Sequence, residues 1–106
     1  MATEAWSRDE LEASVVAYLD MLKMHQSGQK FVKIEVIRAL QSGSLKNRSK
    51  GSIEKRFQNI SSVLDNRGII WLQGYKPLSH VGKNVWADIL NILESKEGFK
   101  YLPLQK

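Results

Sequence analysis

The sequence contains no cysteine, two prolines and two histidines in 106 residues. Without cysteine there can be no disulfide, no thiolate metal site and no cysteine nucleophile, which suits a cytoplasmic protein. Two histidines cannot by themselves build a metal site. The longest apolar runs, such as Val15 to Leu19, fall far below the roughly 20 residues of a membrane-spanning helix. No apolar stretch follows basic residues at the N-terminus, so no signal peptide is expected. Gly43 and Gly51 lack the spacing and the Lys-Ser/Thr ending of a phosphate-binding loop. Ser61-Ser62 comes with no His or Lys arrangement that would make a nucleophile. No cofactor or metal is therefore expected, and no catalytic residue.

At 42% hydrophobic and 25% charged, the composition is that of a soluble globular chain. The length fits one domain and is too short for two independent cores or a large α/β enzyme fold. The net charge of +5 is unevenly placed. Residues 1–32 carry three basic and five acidic side chains, a net −2; residues 33–76 carry nine and three, a net +6; residues 77–106 carry four and three, a net +1. A basic centre in an otherwise balanced chain points to an anionic partner, nucleic acid first. The alternative is a solvated basic face with no partner.

Helical signals dominate. Ser7 with Glu10 forms a capping box, and Trp6 with Leu11 has the spacing of a hydrophobic staple. Leu11, Val15, Tyr18 and Leu22 then recur at helical spacing, so a helix is predicted over about Arg8 to His25, ended by Ser27-Gly28. Asp9, Glu10 and Glu12 fit the positive end of its dipole rather than an acid–base pair. A second helix is predicted over about Lys33 to Gln41, broken by Ser42-Gly43-Ser44. Ser49 is the expected cap of a third, whose stripe is Ile53, Phe57, Ile60 and Leu64 and which closes at Gly68. Ile69 to Gln73 is short, β-branched and aromatic and is read as a strand or extended segment; Gly74-Tyr75-Lys76-Pro77 is a turn. Val85, Ile89 and Ile92, flanked by Trp86, Leu90 and Leu93, predict an apolar fourth helix over about Lys83 to Ser95. The expected fold is mainly α: a compact four-helix domain over residues 1–96, with a helix-turn-helix-like arrangement and a short strand or wing after the third helix. Residues 97–106, with Phe99, Tyr101, Leu102 and Leu104, either pack back or begin a linker.

The stretch from Lys46 to Leu64 carries the most chemistry. Lys46, Arg48, Lys50, Lys55 and Arg56 are opposed there only by Glu54. At about 100° per residue, the face opposite the apolar stripe shows Gly51, Ser52, Lys55, Gln58, Asn59 and Ser62, with Arg56 on the flank. A helix entering a DNA major groove needs small residues near its start, then side chains that reach base edges. The preceding loop, Lys46-Asn47-Arg48-Ser49-Lys50, can meet phosphates with its cations and the helix-start N–H groups. The same residues are also ordinary for a solvent-facing helix. Trp71 and Tyr75 flank the following turn. Exposed, they can stack on or cage a base; buried, they are core. Core is favoured for Trp71 and for Trp86, with Tyr75 open. Lys76 adds a cation beside it. His25 suits a helix C-terminus, and His80 could reach a phosphate.

Trp6-Ser7-Arg8-Asp9-Glu10-Leu11, with Ala17-Tyr18-Leu19 behind it, resembles the opening of the N-terminal head domain of McrA-like type IV restriction endonucleases. Arg48-Ser49-Lys50-Gly51-Ser52-Ile53-Glu54, followed by Gln58-Asn59-Ile60-Ser61 and Val63-Leu64, is the more specific match, and Gly74-Tyr75-Lys76-Pro77 is similar to a further signature. The resemblance covers roughly residues 6–95. Family members often carry Phe-Lys-His where this chain has Lys55-Arg56-Phe57, and the HNH nuclease motif of those enzymes is absent here. The resemblance implies a targeting module that precedes modification-sensing and nuclease domains in defence against modified DNA. The expected function is therefore binding of double-stranded DNA, modified or unmodified, by a non-catalytic domain. Its expected contacts are Lys46, Asn47, Arg48, Ser49, Lys50, Ser52, Lys55, Arg56, Gln58, Asn59, Tyr75 and Lys76. A protein-interaction or dimerisation module is the competing expectation, motivated by the apolar fourth helix and tail.

Overall fold

The first helix, α1 (Arg8–Gln26), begins on the capping box its sequence encodes. The Ser7 hydroxyl accepts from the Glu10 amide at 3.1 Å, and the Glu10 carboxylate accepts from the Ser7 amide at 2.9 Å. Two of the orphan donors at the helix start are thereby satisfied. The chain leaves α1 through Gly28, whose φ of 78° lies in the left-handed region. The computed structural model describes residues 5–78 and 80–105.

Three more α-helices follow: α2 (Lys33–Gln41), α3 (Lys50–Asn66) and α4 (Lys83–Ser95). A 3₁₀ turn, η1 (Glu97–Tyr101), comes last. Ser49 caps α3 by accepting from the Ser52 amide at 3.1 Å. Helix α1 packs against α3 and α4, α3 also packs against α4, and α2 touches α1. The core they enclose includes Leu11, Val15, Tyr18 and Leu22 from α1, Ile53, Phe57, Ile60 and Leu64 from α3, and Ile89, Ile92 and Leu93 from α4. These are the stripes that the spacing predicts. Leu45 from the basic loop and Leu72 from beyond α3 are fully buried among them.

Residues Ile69 to Gln73 form no wing. Among the described residues the only β pairing here is an isolated antiparallel bridge between Ile69 and Leu104. The segment's backbone groups go elsewhere. The Leu72 amide donates to the Tyr18 hydroxyl at 2.8 Å, and the Ile70 amide to the Pro103 carbonyl at 3.0 Å. A β-branched segment becomes a strand only if another strand lines up with it. Here it fills the gap beside Tyr18, and a single pass of tail lies against it. Residues 97–105 therefore pack back onto the domain: η1 lies on α4, and the Gln105 amide donates to the Gly68 carbonyl at 2.7 Å.

Candidate nucleic-acid interface

The residues expected to contact DNA divide sharply. Lys46, Asn47, Ser49, Lys50, Lys55 and Lys76 are exposed. Ser52 and Gln58 are half-buried. The Ser52 hydroxyl donates to the Ser49 carbonyl at 3.0 Å, which tightens the first turn of α3. The Gln58 carbonyl accepts from the Leu78 amide at 3.4 Å, so the loop after the turn passes close to this face.

Three expected contacts are corrected. Arg48 does not project from the basic loop towards solvent; its side chain is only 8% exposed. Its Nε and Nη2 donate to the two carboxylate oxygens of Glu10 at 2.8 and 2.7 Å. Nη2 also donates to the Ala5 carbonyl at 3.1 Å, and the guanidinium carbon lies 5.1 Å from the centre of the Trp6 ring. This bidentate pair fastens the start of α3 to the start of α1. The Arg48 hydrogen bonds hold the Glu10 carboxyl down to about 2.

Asn59 is buried, not on the outer face. Arg56, three residues earlier on the same flank of α3, donates to Asn59 Oδ1, while Tyr18 and Leu72 cover the Ser61 flank. The buried arc of α3 thus runs from Asn59 through Phe57 to Ser61, which at about 100° per residue exceeds half the circumference. Tyr75 is also core, 4% exposed, with its ring 5.0 Å from that of Phe57 and tilted 59° to it. Burial, with the nearby Glu54 charge, pushes its hydroxyl up to about 12. Trp71 and Trp86 are partly buried against the same core.

Arg56 lies between these classes. It is half-buried, with its guanidinium carbon 4.7 Å from the centre of the Trp6 ring, and Nη1 donates to Asn59 Oδ1 at 3.0 Å. Burial, and then the neighbouring charge of Arg48, lower its pKa. Arg56, Lys55 and Ser52 form one wall of a groove of about 480 Å³; Asn84, Val85 and Asp88 at the start of α4 form the other, with Trp6 between.

Sequence reasoning passed over Lys30, Lys33 and Arg38, all exposed on or just before α2. Lys33 lies over the Tyr75 ring, its Nζ 5.1 Å from the centroid, which brings α2 beside the Gly74–Lys76 turn. The available signal was the +6 of residues 33–76, which already counts Lys33 and Arg38. Nothing local announces the groove, because Trp6 and Asn84 are far apart in the chain.

Among the described residues the ion pairs are Arg48–Glu10, Arg67–Glu94 and Lys96–Glu12. None uses Lys30, Lys33, Arg38, Lys46, Lys50, Lys55 or Lys76. No three metal-ligating side chains come together among the described residues, and no helix is long and apolar enough to cross a membrane. Comparison of the chain with protein-family models, with curated proteins and with solved structures finds no match.

Proposed function

We propose that this chain is a DNA-binding module that holds duplex DNA through the lysines around α2 and the start of α3. The observation that carries this reading is a set of exposed cations that enter no ion pair among the described residues: Lys33 and Arg38 on α2, Lys46 in the loop, Lys50 and Lys55 on α3, and Lys76 in the turn. Unpaired cations facing solvent carry counterion-release binding to a polyanion. Ser49 and Gly51 keep the start of α3 small and exposed, so its N–H groups add a positive dipole end. The motif resemblance to McrA-like head domains points the same way, to a targeting domain that serves a nuclease and performs no chemistry itself.

In this reading phosphate contacts supply most of the affinity. Base readout is left to Ser52 and Gln58, with Asn59 withdrawn into the core. The test is a titration of duplex DNA at several salt concentrations. Wild type binds at low salt, and log affinity falls linearly with log salt. Lys46→Glu with Lys50→Glu weakens binding and flattens that slope. Absence of binding at low salt overturns the proposal, and so does a slope unchanged in the double variant.

A second reading, association of two copies, is favoured by one surface only. Tyr101, 74% exposed, lines a groove with Val16, Leu19 and Phe99, and Leu104 in the tail is 70% exposed. Light scattering coupled to gel filtration decides it: a monomer at high protein concentration removes this reading.

A further inference from the structure

The groove between the first turns of α3 and α4 has an imbalance that the fold does not resolve. Its two cations, Lys55 and Arg56, have no carboxylate partner among the described residues. Arg56 Nε and, beside it, Asn59 Nδ2 are buried donors with no hydrogen-bond partner there. Asn59 Oδ1 is already taken by Arg56 Nη1. Buried donors are almost always satisfied, and a half-buried guanidinium without a counter-charge is costly. The α3 wall of the groove therefore offers donors, and the one carboxylate in the lining is Asp88 across from it. The Trp6 ring, 4.7 Å from the Arg56 guanidinium carbon, holds that side chain in place, so little rotamer freedom remains to be lost on binding. Asp88 on the opposite wall leaves the groove with one net positive charge, enough for one oxyanion and not for several.

We infer that this groove seats a single phosphate group of the bound DNA, with Arg56 as its main donor and Lys55 and the Asn84 amide completing the contact. A fixed phosphate sets the register of the duplex on the exposed lysines. The inference rests on the DNA-binding reading and adds one anchoring point to it.

The test uses the whole chain. Inorganic phosphate, and separately a short duplex, is titrated into ¹⁵N-labelled protein while the Arg56 Nε–H and Asn84 side-chain amide resonances are followed. In parallel, duplex affinity is measured against salt for wild type, Arg56→Gln and Lys46→Glu with Lys50→Glu. The expected result is that both ligands move the Arg56 and Asn84 signals. Arg56→Gln should weaken duplex binding about tenfold and lower the salt slope by about one unit. Thermal melts show whether Arg56→Gln stays folded; if it does not, the resonance shifts in wild type decide alone. If duplex binds wild type but leaves both signals unmoved, the groove assignment is overturned and DNA binding stands. If inorganic phosphate moves the signals while no duplex binds at low salt, the DNA assignment of the groove is overturned together with the reading it rests on.

Discussion

Charged side chains do different work on the two flanks of this domain. Around α1, α4 and the C-terminal tail some of them tie elements together: Lys96 to Glu12 at 2.9 Å, Arg8 to Asn91, and Gln105 to Asp65 at 2.8 Å. Around α2 and the first turns of α3, Arg38, Lys46, Lys50 and Lys55 are exposed and enter no ion pair among the described residues. The boundary runs through the basic loop itself. Lys46 and Lys50 stand out from the surface, while Arg48 between them turns inward onto Glu10 and Trp6. Counting charge along a sequence cannot separate these roles. What separates them is whether a carboxylate from another helix lies within reach.

The comparison breaks most visibly at Arg48. Arg48→Ala leaves the Glu10 carboxylate half-sheltered with its guanidinium gone. The expected loss is about 2–3 kcal/mol, below the full cost for a wholly buried pair because Glu10 keeps some contact with water. Urea denaturation measures it. An effect like that of an exposed lysine would show that the pair contributes nothing to folding. The same contact sets a pH dependence. The folded-state pKa of Glu10 is depressed from 4.5 to about 2. Its contribution to stability is therefore present above pH 4.5 and is lost as pH falls towards 2. Glu10→Gln should flatten the acid limb of stability in that window, which stepwise denaturation between those pH values would reveal.

Tyr18→Phe comes next. The Tyr18 hydroxyl lies 2.8 Å from Ser61 Oγ and accepts from the Leu72 amide at 2.8 Å, all inside the core. Removing it leaves a buried amide without a partner, an expected cost of about 2 kcal/mol. Hydrogen exchange at the Leu72 amide should quicken well beyond the global change. Equal quickening everywhere would mean that this segment is held by packing alone.

Gly74→Ala has a smaller expected effect, about 1–2 kcal/mol. The φ of 99° at Gly74 suits glycine, and an added methyl group would meet the Lys33 ammonium end. Lys33 would have to leave the Tyr75 ring. A thermal melt unchanged from wild type would mean that the turn relaxes freely.

The sequence-level features that proved readable are local ones. The capping box at Ser7 and Glu10, the Ser49 cap and the three apolar stripes of α1, α3 and α4 depend on residues a few positions apart, and the structure contains each of them. The features that could not be read depend on distant partners. Arg48 meets Glu10 across 38 positions. Asn59 is buried within a core that α1, α3 and α4 build together. Ile69 to Gln73 has strand-forming residues but no strand beside it. The motifs behind the family resemblance fall on the structural side: Arg48, Ser49, Asn59, Ser61, Gly74 and Tyr75 all hold the scaffold.

The finest probe of the comparison is a pair of substitutions expected to do almost nothing to the fold. Lys46 and Lys50 are exposed and form no ion pair. Lys46→Ala with Lys50→Ala should therefore change unfolding free energy by no more than about 0.5 kcal/mol. If these lysines lie on phosphates, each removal should also lower the salt slope of duplex binding by about one unit. Set beside Arg48→Ala, the pair separates two uses of positive charge within five consecutive residues. A stability loss equal to that of Arg48→Ala would mean that these lysines, too, belong to the scaffold. A salt slope unchanged from wild type would mean that they face only water.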